Sequence, residues 1–270
     1  MHKVTVHVVA AFTKNGSGGN LAGVVFDEVN DSSKQELAKY LGFSETVFVQ
    51  NGKFRYFTTN KEIEFCGHAT LAALSLMDFK ELSIELQGFT IHAKNNPVMF
   101  TSDDGLFIDM KLDKQLILKS LGIDETELAS LGMDIVYTGL KDLFINVKDV
   151  SVLNPDFNRI KEISKNLNVI GYHVYSFDSE YDATCRNFAP LYGINEESAT
   201  GSANSGLAYL LSVKKQKKEY YRFLQGTYLN RESEVNVYIK DKIYISGSST
   251  LKESLKIEIG GNNNGFKDEW

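Results

Sequence analysis

The chain has 270 residues, 43% hydrophobic and 24% charged, the composition of a globular protein with a real core, in one large domain or two small ones. Its formal net charge of −6 argues against nucleic acid or an anionic membrane as partner, because both call for basic patches. Two cysteines, Cys66 and Cys185, are too few for a disulfide framework, and no CxxC or Cys/His cluster suggests zinc, so no metal is expected.

The N-terminal "MHKVTVHVVAAF" alternates and is apolar only briefly, which predicts a strand rather than a signal peptide. No run approaches the ~20 apolar residues of a membrane span, and a cytoplasmic location is expected. Short β-branched and aromatic runs follow: "AGVVFDE", "TVFVQ", "KFRYFTT", "LSIELQ", "FTIHAK" and "PVMFTS". Helical patterns interrupt them at "SSKQELAKYLG", stopped by Gly42, and in the small apolar run after His68. After Asp113 the cycle restarts, with helical "DKQLILKSLG", strands "DIVYTG" and "LFINVK", and a helix in "PDFNRIKEISKNLN". Strands "GYHVYSFD" and "ATCRNFAP" precede helical "GSANSGLAYLLSVKK" and the strands "YYRFLQG", "SEVNVYIK", "KIYISGS" and "LKIEIG". The basic run Lys214 to Lys218 reads as a solvated helix end or loop.

The two halves echo each other. Arg55 and Phe57 match Arg186 and Phe188 in an R-x-F pattern. Gly67 follows Phe57 by ten residues and Gly201 follows Phe188 by thirteen, and each glycine leads through a polar residue and an alanine into an apolar helical run. Two homologous lobes are therefore expected, joined near residues 112–120, with the boundary drawn at 1–116 and 117–270 and the last strand free to cross back. Helices as uniformly apolar as "ATLAALSLM" must be enclosed by their lobes. Their first N–H groups have no intrahelical partner and carry the positive dipole end, so two such starts facing each other would suit a carboxylate or a developing oxyanion. Gly67 and Gly201 would let backbone and ligand approach closely.

Six segments, "AFTKNGSGGNLAGVV", "LGFSETVFV", "RYFTTNKEIEFCGHATLAAL", "RNFAPLYGINEESATGSANSGLAYLL", "QGTYLNRESEV" and "YISGSS", occur in an order that spans the chain. In that order they resemble the PhzF family, the phenazine-biosynthesis isomerase-like proteins that share the diaminopimelate epimerase fold. The resemblance implies an α+β fold of two pseudo-symmetric lobes, each a β-barrel-like sheet wrapped around a central helix, with the active site in the cleft between them. It also implies a homodimer and an acid–base enzyme without a cofactor. In the characterised isomerase of the family, proton transfer rearranges the double bonds of a hydroxylated dihydroanthranilate. A fold match does not carry that substrate over.

Proton transfer between carbons needs a carboxylate held near apolar walls, where desolvation tunes it towards the working pH. Glu45, in "SET", is a surface glutamate at a strand start on its own pattern; the resemblance makes it the general acid/base. His68 reads alone as a helix cap or core residue and, with the resemblance, as a donor that orients substrate or carries a second proton. Ser202, its mirror, is expected both to cap its helix and to bind substrate. Glu197 and Ser198 stand where the family has aspartate and proline, so the carboxylate is one methylene longer and its loop freer. Glu196 beside it is expected to be solvated. Leu21 replaces the family proline, and the Gly18-Gly19-Asn20 turn either lines the site entrance or is an ordinary hairpin turn.

In related epimerases and racemases a cysteine before each central helix forms a two-thiol pair, but here the counterpart of Cys66 in the second half is Thr200. A threonine hydroxyl is no thiolate-like base near neutral pH, so Cys66 reads as a structural or lining residue. Arg55 and Arg186 read first as partners of carboxylates or carbonyls at the lobe interface, and second as substrate ligands. The sequence thus points to a cofactor-independent isomerase of a small carboxylate-bearing metabolite. Glu45 moves the proton, Gly67, His68, Gly201 and Ser202 hold the anionic group, and Glu197 and Asn20 add substrate contacts. The rivals are a sister-family epimerase or racemase and a metabolite-binding protein without turnover.

Overall fold

Alternating valines make the N-terminal segment a strand, β1 (His2–Thr13), with Val4, Val6 and Val8 buried. The computed structural model describes residues 2–259 and 266–269. In chain order there follow β2 (Asn20–Val25), α1 (Asp31–Leu41), β3 (Glu45–Gln50), β4 (Lys53–Phe57), β5 (Glu62–Ile63) and α2 (Gly67–Ser75). A meander of β6 (Glu81–Leu86), β7 (Phe89–Lys94) and β8 (Met99–Thr101) comes next. Then come β9 (Leu106–Ile108), α3 (Lys114–Ser120), β10 (Leu128–Tyr137), β11 (Lys141–Val147), α4 (Phe157–Leu167) and β12 (Tyr172–Ser176). β13 (Ala183–Ala189) and β14 (Ile194–Glu197) lead to α5 (Gly201–Lys214). The remaining strands are β15 (Tyr220–Gln225), β16 (Ser233–Ile239), β17 (Ile243–Ser246), β18 (Ser248–Ile259) and β19 (Phe266–Glu269). The fold is α+β with sheet predominating.

The chain divides into two units: the segment up to Phe100 together with that from Gly247, and the segment Thr101–Ser246. This division differs from the expected 116/117 boundary. The reason is β9, which pairs antiparallel with β10 and so joins the second unit. At three residues it is too short to show alternation in the sequence. β10 likewise starts at Leu128, ahead of the expected "DIVYTG", because a register shift between Leu128 and Met133 interrupts its pairing with β11. Gly260, the end of the expected strand "LKIEIG", lies outside the described residues.

In the first unit β1 pairs antiparallel with β2 and, along nearly its whole length, with β18. β2 runs parallel to β3, joined by α1, and β4 and β5 extend the sheet antiparallel. Asn30 caps α1 by accepting from the Ser33 N–H at 2.9 Å, and Gly42 ends it in the left-handed conformation, φ 69°. The small residues of α2 let β1, β2, β3 and β18 pack around it, and every residue from His68 to Leu74 is buried. Val6, Phe48, Phe57 and Ile257 form part of the core under α1.

The second unit repeats this order. β11 runs parallel to β12 through α4, β13 and β14 follow antiparallel, and the buried α5 comes next. α5 packs on β10, β11, β16 and β17, and α4 covers a core of Ile145, Ile160, Val174 and Phe188. The duplication read from R-x-F and the paired glycines is thus a duplication of the whole strand–helix–strand–strand–strand–helix unit. Lys214 ends α5, and Lys215 to Lys218 follow it exposed, as a basic helix end should. Among the described residues no helix is long and apolar enough to cross a membrane.

Candidate active site

The β2–α1–β3 crossover sets Glu45 as the first residue of β3, in register with Ala22 of β2. Its side chain is buried, unlike the surface glutamate its local pattern suggests. Glu45 Oε2 lies 3.2 Å from His68 Nε2, yet it makes no hydrogen bond: the atoms are close without the alignment one needs. A buried carboxylate oxygen without a hydrogen-bond donor is costly in an apolar interior, and such groups concentrate at functional sites.

His68 is the second residue of α2 and does not cap it. Asn20 Nδ2 sits 3.4 Å from His68 Nδ1. The amide as placed donates to Nδ1 and so assigns the ring proton to Nε2, the atom facing Glu45; turned over, it would accept from Nδ1–H instead. Burial pushes the His68 pKa below its ordinary 6.5, against the opposing pull of the Glu45 carboxylate and the Leu21 carbonyl, so the ring is neutral near pH 7. Gly19, at φ +82°, makes this possible: a Cβ there would stand 2.6 Å from the Ala11 carbonyl oxygen, and only glycine turns the chain into β2 with Asn20 inward. The Gly18-Gly19-Asn20 turn thus delivers a contact to His68.

Cys66 occupies the N-cap position of α2 with extended backbone and makes no side-chain cap bond. Its Sγ lies 3.2 Å from His68 Nδ1 and 3.9 Å from Nε2. Cys66 thus lies against the imidazole, a contact that its reading as a structural or lining residue did not specify. The Cys66 carbonyl accepts from the Thr70 hydroxyl at 2.8 Å, and Thr70 meets the buried Tyr56 hydroxyl at 2.7 Å, which fixes the helix start from below. Neither Tyr56 nor Thr70 stood out in the sequence, because buried hydroxyls resemble ordinary strand and helix residues.

The start of α5 is arranged differently. Its N-cap position is Thr200, not Ser202, which lies one residue inside the helix; the expected serine cap is therefore absent, and Thr200 makes no side-chain cap bond either. The Thr200 hydroxyl instead donates to Glu197 Oε2 at 2.7 Å. Gln225, wholly buried, donates to the Glu197 carbonyl at 2.9 Å and to Thr200 Oγ1 at 3.0 Å, and accepts from Asn204 Nδ2 at 2.8 Å. Gln225 is the organiser here, and only its place in "QG" ahead of a turn could have marked it.

Glu196, expected in solvent, is half-buried, with its side chain only 8% exposed. Arg186 clamps it with two hydrogen bonds, Nε to Oε1 at 2.9 Å and Nη2 to Oε2 at 2.8 Å. Arg55 grips Glu62 in the same way, at 2.7 and 2.8 Å, and also reaches Asp31. Each arginine lies over the phenylalanine of its own R-x-F strand. Both therefore pair with carboxylates as expected, and these carboxylates belong to the arginine's own unit.

Residues 9–262 match the sequence model of the family described as phenazine biosynthesis-like protein. An uncharacterized isomerase of Clostridium acetobutylicum is 29% identical, over 97% of this chain and 96% of that one. An uncharacterized isomerase of Escherichia coli K12 is 31% identical, over 92% of this chain and 96% of its own length. The crystal structure of a PhzF-family phenazine biosynthesis protein from Bacillus anthracis shares the fold with a TM-score of 0.84 at 24% identity, covering 96% of this chain and 100% of that one.

Proposed function

The chain belongs to the phenazine biosynthesis-like (PhzF) family and is an isomerase, and from that premise we propose that it isomerises a small carboxylate-bearing metabolite by proton transfer, without a cofactor. The observation that carries this reading is Glu45 Oε2, a buried carboxylate oxygen with no hydrogen-bond donor, beside a neutral histidine. A base in that state can accept a proton from carbon without first breaking a bond within the protein.

In the proposed step a substrate C–H bond breaks, its proton passes to Glu45, and the electron pair enters the neighbouring conjugated system as a double bond shifts. Glu45 then returns the proton to a different carbon, so atoms and charge balance within one substrate. His68 keeps its proton on Nε2 and orients a polar substituent by donating to it, with Asn20 fixing the ring. The N–H groups that open α2 take the carboxylate. Gly67 supports this: a Cβ there would meet no protein atom closer than 3.6 Å, so internal packing does not demand glycine, whereas a ligand against the backbone would. Glu197, Gly201 and Ser202 enter the proposal as the second unit's binding set for polar groups of the substrate. The strands around each buried helix are proposed to close into a barrel-like wrap.

A two-thiol epimerase finds no support at Thr200, whose hydroxyl is committed to Glu197. Cys185 lies fully buried in β13, and burial pushes its thiol well above the ordinary value. The test is Glu45→Gln, which keeps the shape and removes the base. Exchange of substrate hydrogen with D2O should fall by at least about 100-fold, the low end of what a general base contributes. Exchange at the wild-type rate in that variant sinks the assignment.

A further inference from the structure

We propose that Glu45, Cys66 and His68 together form a binding site for a borderline-soft divalent cation, Zn2+ above all, and that an ion bound there silences the Glu45 carboxylate. One ligand atom from each of the three buried residues lies within 4.8 Å of the other two. Tetrahedral zinc, with bonds of about 2.0 to 2.3 Å, sets neighbouring ligand atoms about 3.3 to 3.6 Å apart. His68 Nε2 lies 3.2 Å from Glu45 Oε2 and 3.9 Å from Cys66 Sγ. The Glu45 edge is within a few tenths of an ångström of zinc geometry. Cys66 Sγ, 3.2 Å from Nδ1, instead lies on the Nδ1 side of the ring, so the Cys66 side chain must turn to bring its sulfur in front of Nε2.

A second observation points to a ligand independently of these spacings: Glu45 Oε2 is buried and has no hydrogen-bond donor. A cation would satisfy it. Cys66 is in no disulfide, and on binding it would release its thiol proton to solvent and coordinate as thiolate. Thiolate, carboxylate and neutral imidazole together cancel the two charges of the ion, which is what a buried site requires. The donor set also selects the ion. Thiolate with imidazole suits zinc, whereas magnesium and calcium call for oxygen ligands throughout. Asn20 supplies the outer support: turning its amide over would let Oδ1 accept from Nδ1–H, the tautomer that leaves Nε2 free for the metal.

The binding stands by itself, and only its inhibitory consequence rests on the role proposed for Glu45. The full chain is titrated with Co2+, a spectroscopic stand-in for zinc, and Zn2+ is then used to displace it. A thiolate-to-cobalt charge-transfer band should grow to one equivalent, vanish on zinc addition, and be absent in Cys66→Ser. It should persist in Cys185→Ser. Zinc affinity by calorimetry should fall at least about 10-fold in His68→Gln and in Glu45→Gln, as for loss of one ligand or its support. Circular dichroism of each metal-free variant distinguishes ligand loss from misfolding. Absence of saturable binding, a band that survives in Cys66→Ser, or unchanged zinc affinity in a folded His68→Gln overturns the site. With the site established, Zn2+ should stop substrate exchange and a chelator restore it. Exchange that continues with zinc bound would count against Glu45 as the base while leaving the metal site intact.

Discussion

At the start of α2, Cys66 and His68 face Glu45; at the start of α5, Thr200 and Ser202 hold the same two positions, and Thr200 is tied to Glu197 and Gln225. The scaffolds agree closely enough to compare position by position. Aligning the strands through Arg55 and Arg186, which stand opposite Phe48 and Val174, puts Gly171 where the first unit has Glu45. The parallel strand registers then put Asp142 where the first unit has Ala22. Gly171 bars any side chain, because a Cβ there would lie 2.0 Å from the Phe188 carbonyl oxygen. Duplication has thus kept the frame and moved the buried carboxylate one strand over. In the first unit it reaches a histidine and remains without a hydrogen bond; in the second, Asp142 accepts from the Gly171 backbone. One helix start keeps a carboxylate oxygen without a hydrogen bond beside it, and the other is bonded within the protein.

The largest break in this comparison should come from the arginine clamps, equal in geometry and unequal in burial. Arg186 and Glu196 are only 9% and 8% exposed. Arg186→Met would leave Glu196 charged and unpaired in the interior, at about 3–5 kcal/mol of unfolding free energy. Arg186 also donates to the Val150 and Leu153 carbonyls, which would lose a donor as well. Urea unfolding should show this loss, and adding Glu196→Met should recover most of it. A single-variant cost under about 1 kcal/mol would show the pair to be effectively solvated.

Asp142 gives the next effect, and it depends on pH. Burial raises its pKa from 3.8 to about 7, with the Gly171 N–H opposing. The folded state therefore disfavours the ionised form: the relative stability is fully present below 3.8, declines as pH rises, and is lost once pH passes about 7. At about 1.4 kcal/mol for each pH unit, the whole change is at most about 4 kcal/mol. Asp142→Asn keeps an acceptor for Gly171 and abolishes the charge. Its advantage over the wild type should be small at pH 4 and reach a plateau above about pH 7. A constant difference across that range would show that Asp142 does not titrate in this window.

Much of this comparison is legible in the sequence. The R-x-F pair, the two glycines and the all-apolar helices fix the duplication, because buried helices and alternating strands leave periodic traces. What was not legible depends on single torsions or very short strands. Glu196 and Glu197 lie in the four-residue strand β14, which the sequence did not reveal. Adjacent strand residues point to opposite faces, so one glutamate meets Arg186 and the other Thr200. Without the strand, both looked like loop residues. The Cys66–His68 contact was hidden for a related reason: the Cys66 side-chain torsion decides whether sulfur faces the helix N–H groups or the imidazole, and no pattern encodes that choice. Counting thiols weighed against the epimerase reading and was silent on the contact with His68.

Arg55 should give the smallest effect and sharpens the comparison most, since it is the same clamp exposed. Arg55 and Glu62 are 32% and 44% exposed, so water screens the pair and solvates either partner when the other is removed. Arg55→Met should therefore cost about 0.2–1 kcal/mol. The cost should shrink further in about 1 M salt, where the screening length is near 3 Å. It should also shrink in acid, as Asp31 protonates. Asp31 is held below its ordinary 3.8 by hydrogen bonds from Lys34 first and Arg55 second, and that contribution is lost as pH falls through the lowered value. Arg186→Met should respond much less to salt, because its partner is out of water. Equal costs for the two variants would mean that burial does not set the strength of these clamps, and the position-by-position comparison of the two units would lose its energetic basis.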